Sequence, residues 1–243
     1  MTPRPACYAE CLPPPALRGQ LRRLWRFRAG DMPAAPVRIL PDGCVDLIWD
    51  GRRWFVAGPD RVAAQAHLAP GGRLTGVRLA PGAGHALLGI ALDEIVGERI
   101  DLRYLWGPEA DSLAMAMHDQ HAPLRPLLAA MAARQAAPDP RMAHLFSRLA
   151  AGDAPPVPAL ARELAVSERS LRRLCQAHFG YGTKTLDRIL RLQRLLGGDA
   201  GPGRLTEAAI AAGYADAAHL AHDARDLSGL TPGELMRAHG RAR

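Results

Sequence analysis

The stretch LARELAVSERSLRRL, residues 160–174, governs how the C-terminal part of the chain reads. A short helix read over 158–164 ends within it, and a turn delivers Ser167, a residue type whose hydroxyl satisfies the free N–H groups of a first helical turn. From Glu168 the spacing predicts a helix to Phe179, stopped by Gly180. At about 100° per residue, Leu171, Leu174, Cys175 and His178 fall on one side, and Arg169, Arg172, Arg173 and Gln176 on the other.

A short helix, a tight turn and a second helix make the helix-turn-helix arrangement, in which the second helix enters the DNA major groove. Spacing alone matches many unrelated helix pairs, so the exposed face must discriminate. Three guanidiniums within one and a half turns repel one another, and that face carries no acid to pair them. Guanidinium forks suit guanine O6 and N7 and phosphate oxygens. The alternative is an ordinary solvated helix face.

Shifted by 49 residues, the sequence repeats. Ala161 then overlies Ile210, Leu171 Leu220, His178 Leu227, Gly180 Gly229, and Leu186 Leu235. Asp216 takes the capping place of Ser167. Neither copy has Glu or Gln at the third helical position of a full capping box, where Ser170 and His219 stand. In the second copy Ala218, His219, His222 and Arg225 lie on the exposed side, with Leu220, Ala224 and Leu227 opposite. The expected units are 157–180 and 206–229, joined by a spacer helix over 183–196. That helix is about 20 Å long and carries Lys184, Arg188 and Arg191 on one side.

Charge divides unevenly between the copies. Residues 168–194 hold seven basic and two acidic residues, net +5, whereas 206–239 hold two basic and five acidic, net −3. The first unit and the spacer are therefore expected to supply most of the attraction to phosphate.

Outward from this region, helical spacing predicts seven helices after residue 139: 141–150, 158–164, 168–179, 183–196, 207–212, 217–227 and 232–238. Apolar periodicity lapses at RQAAPDP, residues 134–140, which sets the expected domains at 1–135 and 139–243. The first half has short apolar or alternating runs at 37–40, 45–49, 54–57 and 74–79, separated by PDG, DG, GPD and PGG, then helical spacing from Gly84. The fold class read from this pattern is α+β: a small, mostly antiparallel β unit with helices, followed by an all-α domain of seven helices.

The 243 residues are 48% hydrophobic and 23% charged, as in folded proteins. Thirty-one basic against 24 acidic residues give +7, with Lys184 the sole lysine, so the position of each arginine carries the argument. Four cysteines make no disulfide framework, and the longest apolar stretch, from Leu79, is broken by Pro81, glycines and His85. The expectation is a reducing, cytoplasmic setting with no membrane span and no secretory signal.

The region from residue 139 resembles the AraC/XylS family of bacterial transcription regulators. The strings that carry the resemblance are LARELAVSERSLRRL, FGYGTKTLDRILRLQRLL and AAIAAGYADAAHLAHDARDLSGLTPGEL, with their GY, HL and GLTP. The resemblance implies a seven-helix domain with two helix-turn-helix units on one face of the duplex. It also places base contacts at Arg169, Arg172 and Arg173. Ala224 stands where the family usually has a phenylalanine that anchors the second unit, so that unit is expected to be less stable or packed against something else. Thr183 stands where proline is common. PDGCVDLIW, GVRLAPGAGHALLG and YLWG in the first half resemble the N-terminal portion of a subset of these regulators, which by fold-level analogy binds an effector or another chain. Expected partners are double-stranded DNA, a small-molecule effector, RNA polymerase and a second copy of the chain.

Other groups carry weaker signals. Cys7 and Cys11 invite a thiol- or metal-reactive sensor reading, set against an exposed, flexible segment with no His or Cys nearby. Cys44 and Cys175 read as core, and Asp42-Gly43 as a turn, with Asp46 a conceivable ligand contact. Trp25, Trp49, Trp54 and Trp106 either fill the core or line an effector pocket. His67, His85, His118 and His121 have no metal spacing, and no nucleophile–base pair, carboxylate dyad or phosphate-binding glycine loop emerges. No catalytic residue, cofactor or metal is expected.

Overall fold

In the computed structural model, described over residues 3–33, 36–118, 124–134, 136–198 and 204–242, the first half is a twisted antiparallel sheet. Strands β1 (Cys7–Cys11), β2 (Leu21–Arg28), β3 (Val37–Ile39), β4 (Asp46–Trp49), β5 (Trp54–Ala57), β6 (Ala64–Ala66) and β7 (Arg73–Leu79) come first. Helix α1 (Gly84–Leu88), a 3-10 turn at Leu92–Ile95, β8 (Arg99–Asp101), α2 (Arg103–Trp106), α3 (Pro108–His118) and α4 (Arg125–Arg134) follow. Six strands form one sheet in the order β1-β2-β7-β4-β5-β8, and β3 pairs with β6 as a separate ribbon.

The register explains which side is buried. Leu47 lies opposite Val56 and Val77, so these residues share a face, and all three are fully buried. Leu87, Trp106, Leu113, Leu127 and Met131 from the helices cover that face. On the other side Trp25 crosses Gly76, where a Cβ would stand 2.6 Å from the indole ring, so only glycine fits. The Trp25 Nε1 donates to Asp46 at 3.3 Å. Arg78 holds Asp46 through two hydrogen bonds of 3.2 and 3.0 Å and reaches Asp42 at 3.0 Å.

Two expectations about the first half change. Residues 7–11 are a strand paired along its length with β2, because five backbone positions find antiparallel partners from Cys7↔Arg28 to Cys11↔Leu24. LRRLWRFR, which lies outside the four runs expected as strands, is the long strand β2, with Leu21 and Trp25 buried and Arg23 paired to Glu10. All four tryptophans are buried, so the core reading of them holds. Burial pushes the Cys44 thiol up to about 12 and also raises that of Cys175. His121 lies outside the described residues.

Seven helices follow: α5 (Pro140–Ala151), α6 (Val157–Glu163), α7 (Glu168–Phe179), α8 (Thr183–Gly197), α9 (Leu205–Ala211), α10 (Ala217–Ser228) and α11 (Pro232–Ala242). Each matches a helix expected from the spacing to within a few residues. They enclose a second core around Leu145, Leu171, Leu186, Ile189, Leu192 and Leu220. Arg194 of α8 donates to the carbonyls of Leu149 and Ala212, tying together the C-terminal ends of α5 and α9.

The two halves meet at the C-terminal ends of α7 and α10. His178 Nδ1 donates to the Gly82 carbonyl at 3.0 Å, and its ring lies edge-on to His85. Arg61 reaches the Gly180 carbonyl. The Ala63 N–H donates to the Leu227 carbonyl at 2.7 Å, and Arg38 to that of Ser228 at 2.6 Å.

Candidate nucleic-acid interface

Each helix pair is built by the same local bonds. Ser167 caps α7 by accepting from the Ser170 N–H at 3.1 Å, and Asp216 caps α10 by accepting from the His219 N–H at 2.7 Å. In the turns, Val166 N–H bonds back to Ala161 O and Tyr214 N–H to Ala209 O. Ala165, the one non-glycine residue with positive φ among the described residues, matches Gly213.

These pairs differ by 48 residues, whereas the caps differ by 49. The second turn therefore carries one extra residue, and the single shift read from the sequence is corrected before the cap. Ala161 corresponds to Ala209, both buried, and not to Ile210, which is 64% exposed.

On α7 the predicted face is open. Arg169, Arg172 and Arg173 are exposed, and among the described residues none has a carboxylate within ion-pair distance. Gln176 is half-buried beside them. Ser170 is half-buried, its hydroxyl engaged with that of Ser167 at 2.9 Å. Lys184, at the start of α8, is exposed and likewise unpaired.

The other spacer cations turn inward. Arg188 donates to Asp223 at 2.8 Å and to Asp226 at 2.9 Å. Arg191 pairs with Asp187 and bonds His219 Nε2 at 2.9 Å. The +5 of residues 168–194 thus reaches solvent mainly through Arg169, Arg172, Arg173 and Lys184. Arg188, expected on the DNA side, is instead a strut between α8 and α10.

On α10, Ala218, His222 and Arg225 are exposed; His222 lies 3.2 Å from Asp226. His219 is half-buried between Arg191 and Tyr214. Asp223, which sequence reasoning missed, is buried and gathers Arg188, Arg191 and His219. Only one of these contacts left a signal in the sequence: Asp223 is one turn from His219, whereas Arg188 and Arg191 come from another helix. Ala224 is fully buried, and the helix end beyond it is met by the β3–β6 ribbon, so this unit does pack against something else.

Residues 160–238, which span both helix pairs from α6 into α11, match the family described as "Helix-turn-helix domain". The C-terminal region is an AraC-type helix-turn-helix domain. The chain carrying this AraC-type domain is a DNA-binding transcription regulator. Residues 9–101 match "Domain of unknown function (DUF6597)". No curated protein matches the chain. Among solved structures, the crystal structure of an apo ToxT variant from Vibrio cholerae is similar at 9% identity and a TM-score of 0.40, over 96% of each chain.

Outside the AraC-type domain, the described residues offer no cluster of three metal-ligating side chains, and no helix among them is long and apolar enough to cross a membrane. Cys7 and Cys11 sit four residues apart on a strand, about 13 Å at ~3.3 Å per residue, too far to share a metal ion within one chain.

Proposed function

We propose that this regulator reads two adjacent major-groove segments with α7 and α10, under the control of an effector or partner acting on an N-terminal domain, residues 1–135, with residues 139–243 as the reading domain. The observation that carries the reading is the exposed, unpaired arginine face of α7 inside a domain with two capped reading helices. Arg169, Arg172 and Arg173 contact base edges, aided by Gln176, and Lys184 contacts phosphate. Ala218, His222 and Arg225 extend the footprint. Arg188, His219 and Ser170 hold the reading helices in place. The mechanism is binding without covalent chemistry, in the cytoplasm, with RNA polymerase as the downstream partner.

The test is selection of bound sequences from random DNA by the full-length protein at fixed salt. Two sequence blocks about one helical turn apart are expected. Recovery of a single block, or of none, overturns the two-headed reading.

A further inference from the structure

The sheet has an open edge at β1, whose five residues CYAEC are all exposed. Its hydrogen-bonding parity follows from the next strands. Ala29 N–H donates to Gly72 O at 2.8 Å, continuing the β2–β7 register. Phe27 and Trp25, of the same parity as Ala29, therefore turn their backbone groups toward β7. Leu24, Arg26 and Arg28 turn theirs toward β1 and bond Cys11, Ala9 and Cys7. What remains directed outward is the N–H and C=O of Tyr8 and Glu10.

An antiparallel copy of the same edge can pair only where outward groups meet outward groups. A two-fold axis at Ala9 does this with the full strand overlapped, placing Tyr8 opposite Glu10 of the second copy. Registers that bring Glu10 against Glu10 oppose two carboxylates, and those centred further toward the start run into Pro5. At the Ala9 axis Cys7 faces Cys11 of the second copy in a non-hydrogen-bonded pair. There Cα atoms stand about 4.5 Å apart, within the range that a disulfide spans. Both thiols are free and exposed, whereas the roughly 13 Å between them in one chain rules out an internal bridge.

We propose that the chain pairs with a second copy of itself through antiparallel β1 edges centred on Ala9, and that two Cys7–Cys11 disulfides between the copies make this dimer durable under oxidising conditions. A five-residue edge is short beside the roughly 1,200–2,000 Å² of a stable interface, so the reduced dimer exchanges quickly. The oxidant is a low-molecular-weight disulfide. A Cys7 thiolate attacks one of its sulfurs and expels one thiol. Cys11 of the second copy then attacks the Cys7 sulfur of this mixed disulfide and expels the other. Per bridge, two protein thiols are oxidised to one disulfide and the reagent is reduced to two thiols. This inference does not depend on the DNA-binding reading.

The test uses the full-length chain treated with oxidised glutathione and analysed by non-reducing electrophoresis and peptide mass spectrometry. A covalent dimer linked Cys7 to Cys11 is expected, reversed by dithiothreitol. Cys7→Ser alone and Cys11→Ser alone should each lose at least tenfold of the dimer, because each remaining thiol faces a serine. Mixing the two variants should restore it through one bridge. Glu10→Pro removes an outward N–H while keeping both thiols, and should cut cross-linking at least tenfold with an unchanged circular dichroism spectrum. Cys7–Cys7 or Cys11–Cys11 linkage as the main product, cross-linking of either single variant equal to that of the unaltered chain, failure of the mixture to cross-link, or no covalent dimer at all would overturn the proposal.

Discussion

Arg188 of α8 and Asp223 of α10 form an ion pair at 2.8 Å, with the Asp223 side chain 1% exposed and that of Arg188 34% exposed. The carboxylate is the common partner of Arg188, Arg191 and His219, so it fixes α10 against α8. Replacing Asp223 by alanine leaves two guanidiniums facing one another without their shared counter-charge. We expect a loss of about 2 kcal/mol, below the ~3–5 kcal/mol of a fully buried pair because Arg188 is partly solvated. Urea denaturation measures it; a change under 0.5 kcal/mol would show that the pair does not hold the helices.

Arg172→Ala should weaken operator binding by ~1–3 kcal/mol and relax preference at one base position, without loss of thermal stability, since Arg172 is exposed and unpaired. Fluorescence anisotropy against a panel of single-base operator variants provides the comparison. Unchanged affinity and unchanged preference would remove this residue from the reading face.

Lys184→Ala should lower affinity equally across sequences and reduce the slope of log K against log salt by about 1. Arg188→Ala should leave that slope nearly unchanged, since its charge is already spent on Asp223 and Asp226. Equal slope changes in the two variants would place both cations on the phosphates.

His178 is buried, and desolvation is the largest influence lowering its pKa from the usual value near 6.5. The unfolded chain then binds a proton more readily than the folded one, so this residue's contribution is present above pH 6.5 and is lost as pH falls below it. Thermal melts at pH 7.5 and 5.5 should show a drop that is smaller in His178→Gln. The window stays above the range where Asp139, held low by its hydrogen bonds from Arg141, and Glu163, held low by its hydrogen bonds with His144 and Arg148, begin to protonate.

Gly180 ends α7 with φ of +81°, and a Cβ there would stand 2.6 Å from Pro59 and 2.7 Å from Val96. Gly180→Ala combines a left-handed backbone with a clash against stiff neighbours, at a cost of about 3 kcal/mol. Calorimetry of this variant should show a clear fall in Tm; a neutral result would mean that the two halves separate easily at this contact.

Helices α7 and α10 were legible because their signals are local: a capping Ser167 or Asp216, an apolar stripe, and a stopping glycine. The inward turn of Arg188 was not, because a helical wheel ranks a cation as exposed without knowing that Asp223 and Asp226 of another helix face it. The extra residue in the second turn was hidden because a shift anchored on Leu171 and Leu220 says nothing of the chain before the caps. Strand β2 was missed for a different reason. Arginines interrupt its apolar alternation, and only pairing with β1 and β7 makes sense of Arg23 beside Glu10 and of Trp25 over Gly76.

Helices α7 and α10 are both gripped at their tails by the first half of the chain, α7 through Gly82 and Arg61 and α10 through Ala63 and Arg38. The arginine-bearing face of α7, with Arg169, Arg172 and Arg173, projects free. Two probes bolted to one chassis share its tilt, so a twist of the sheet half would re-aim both together and leave the distance between them unchanged.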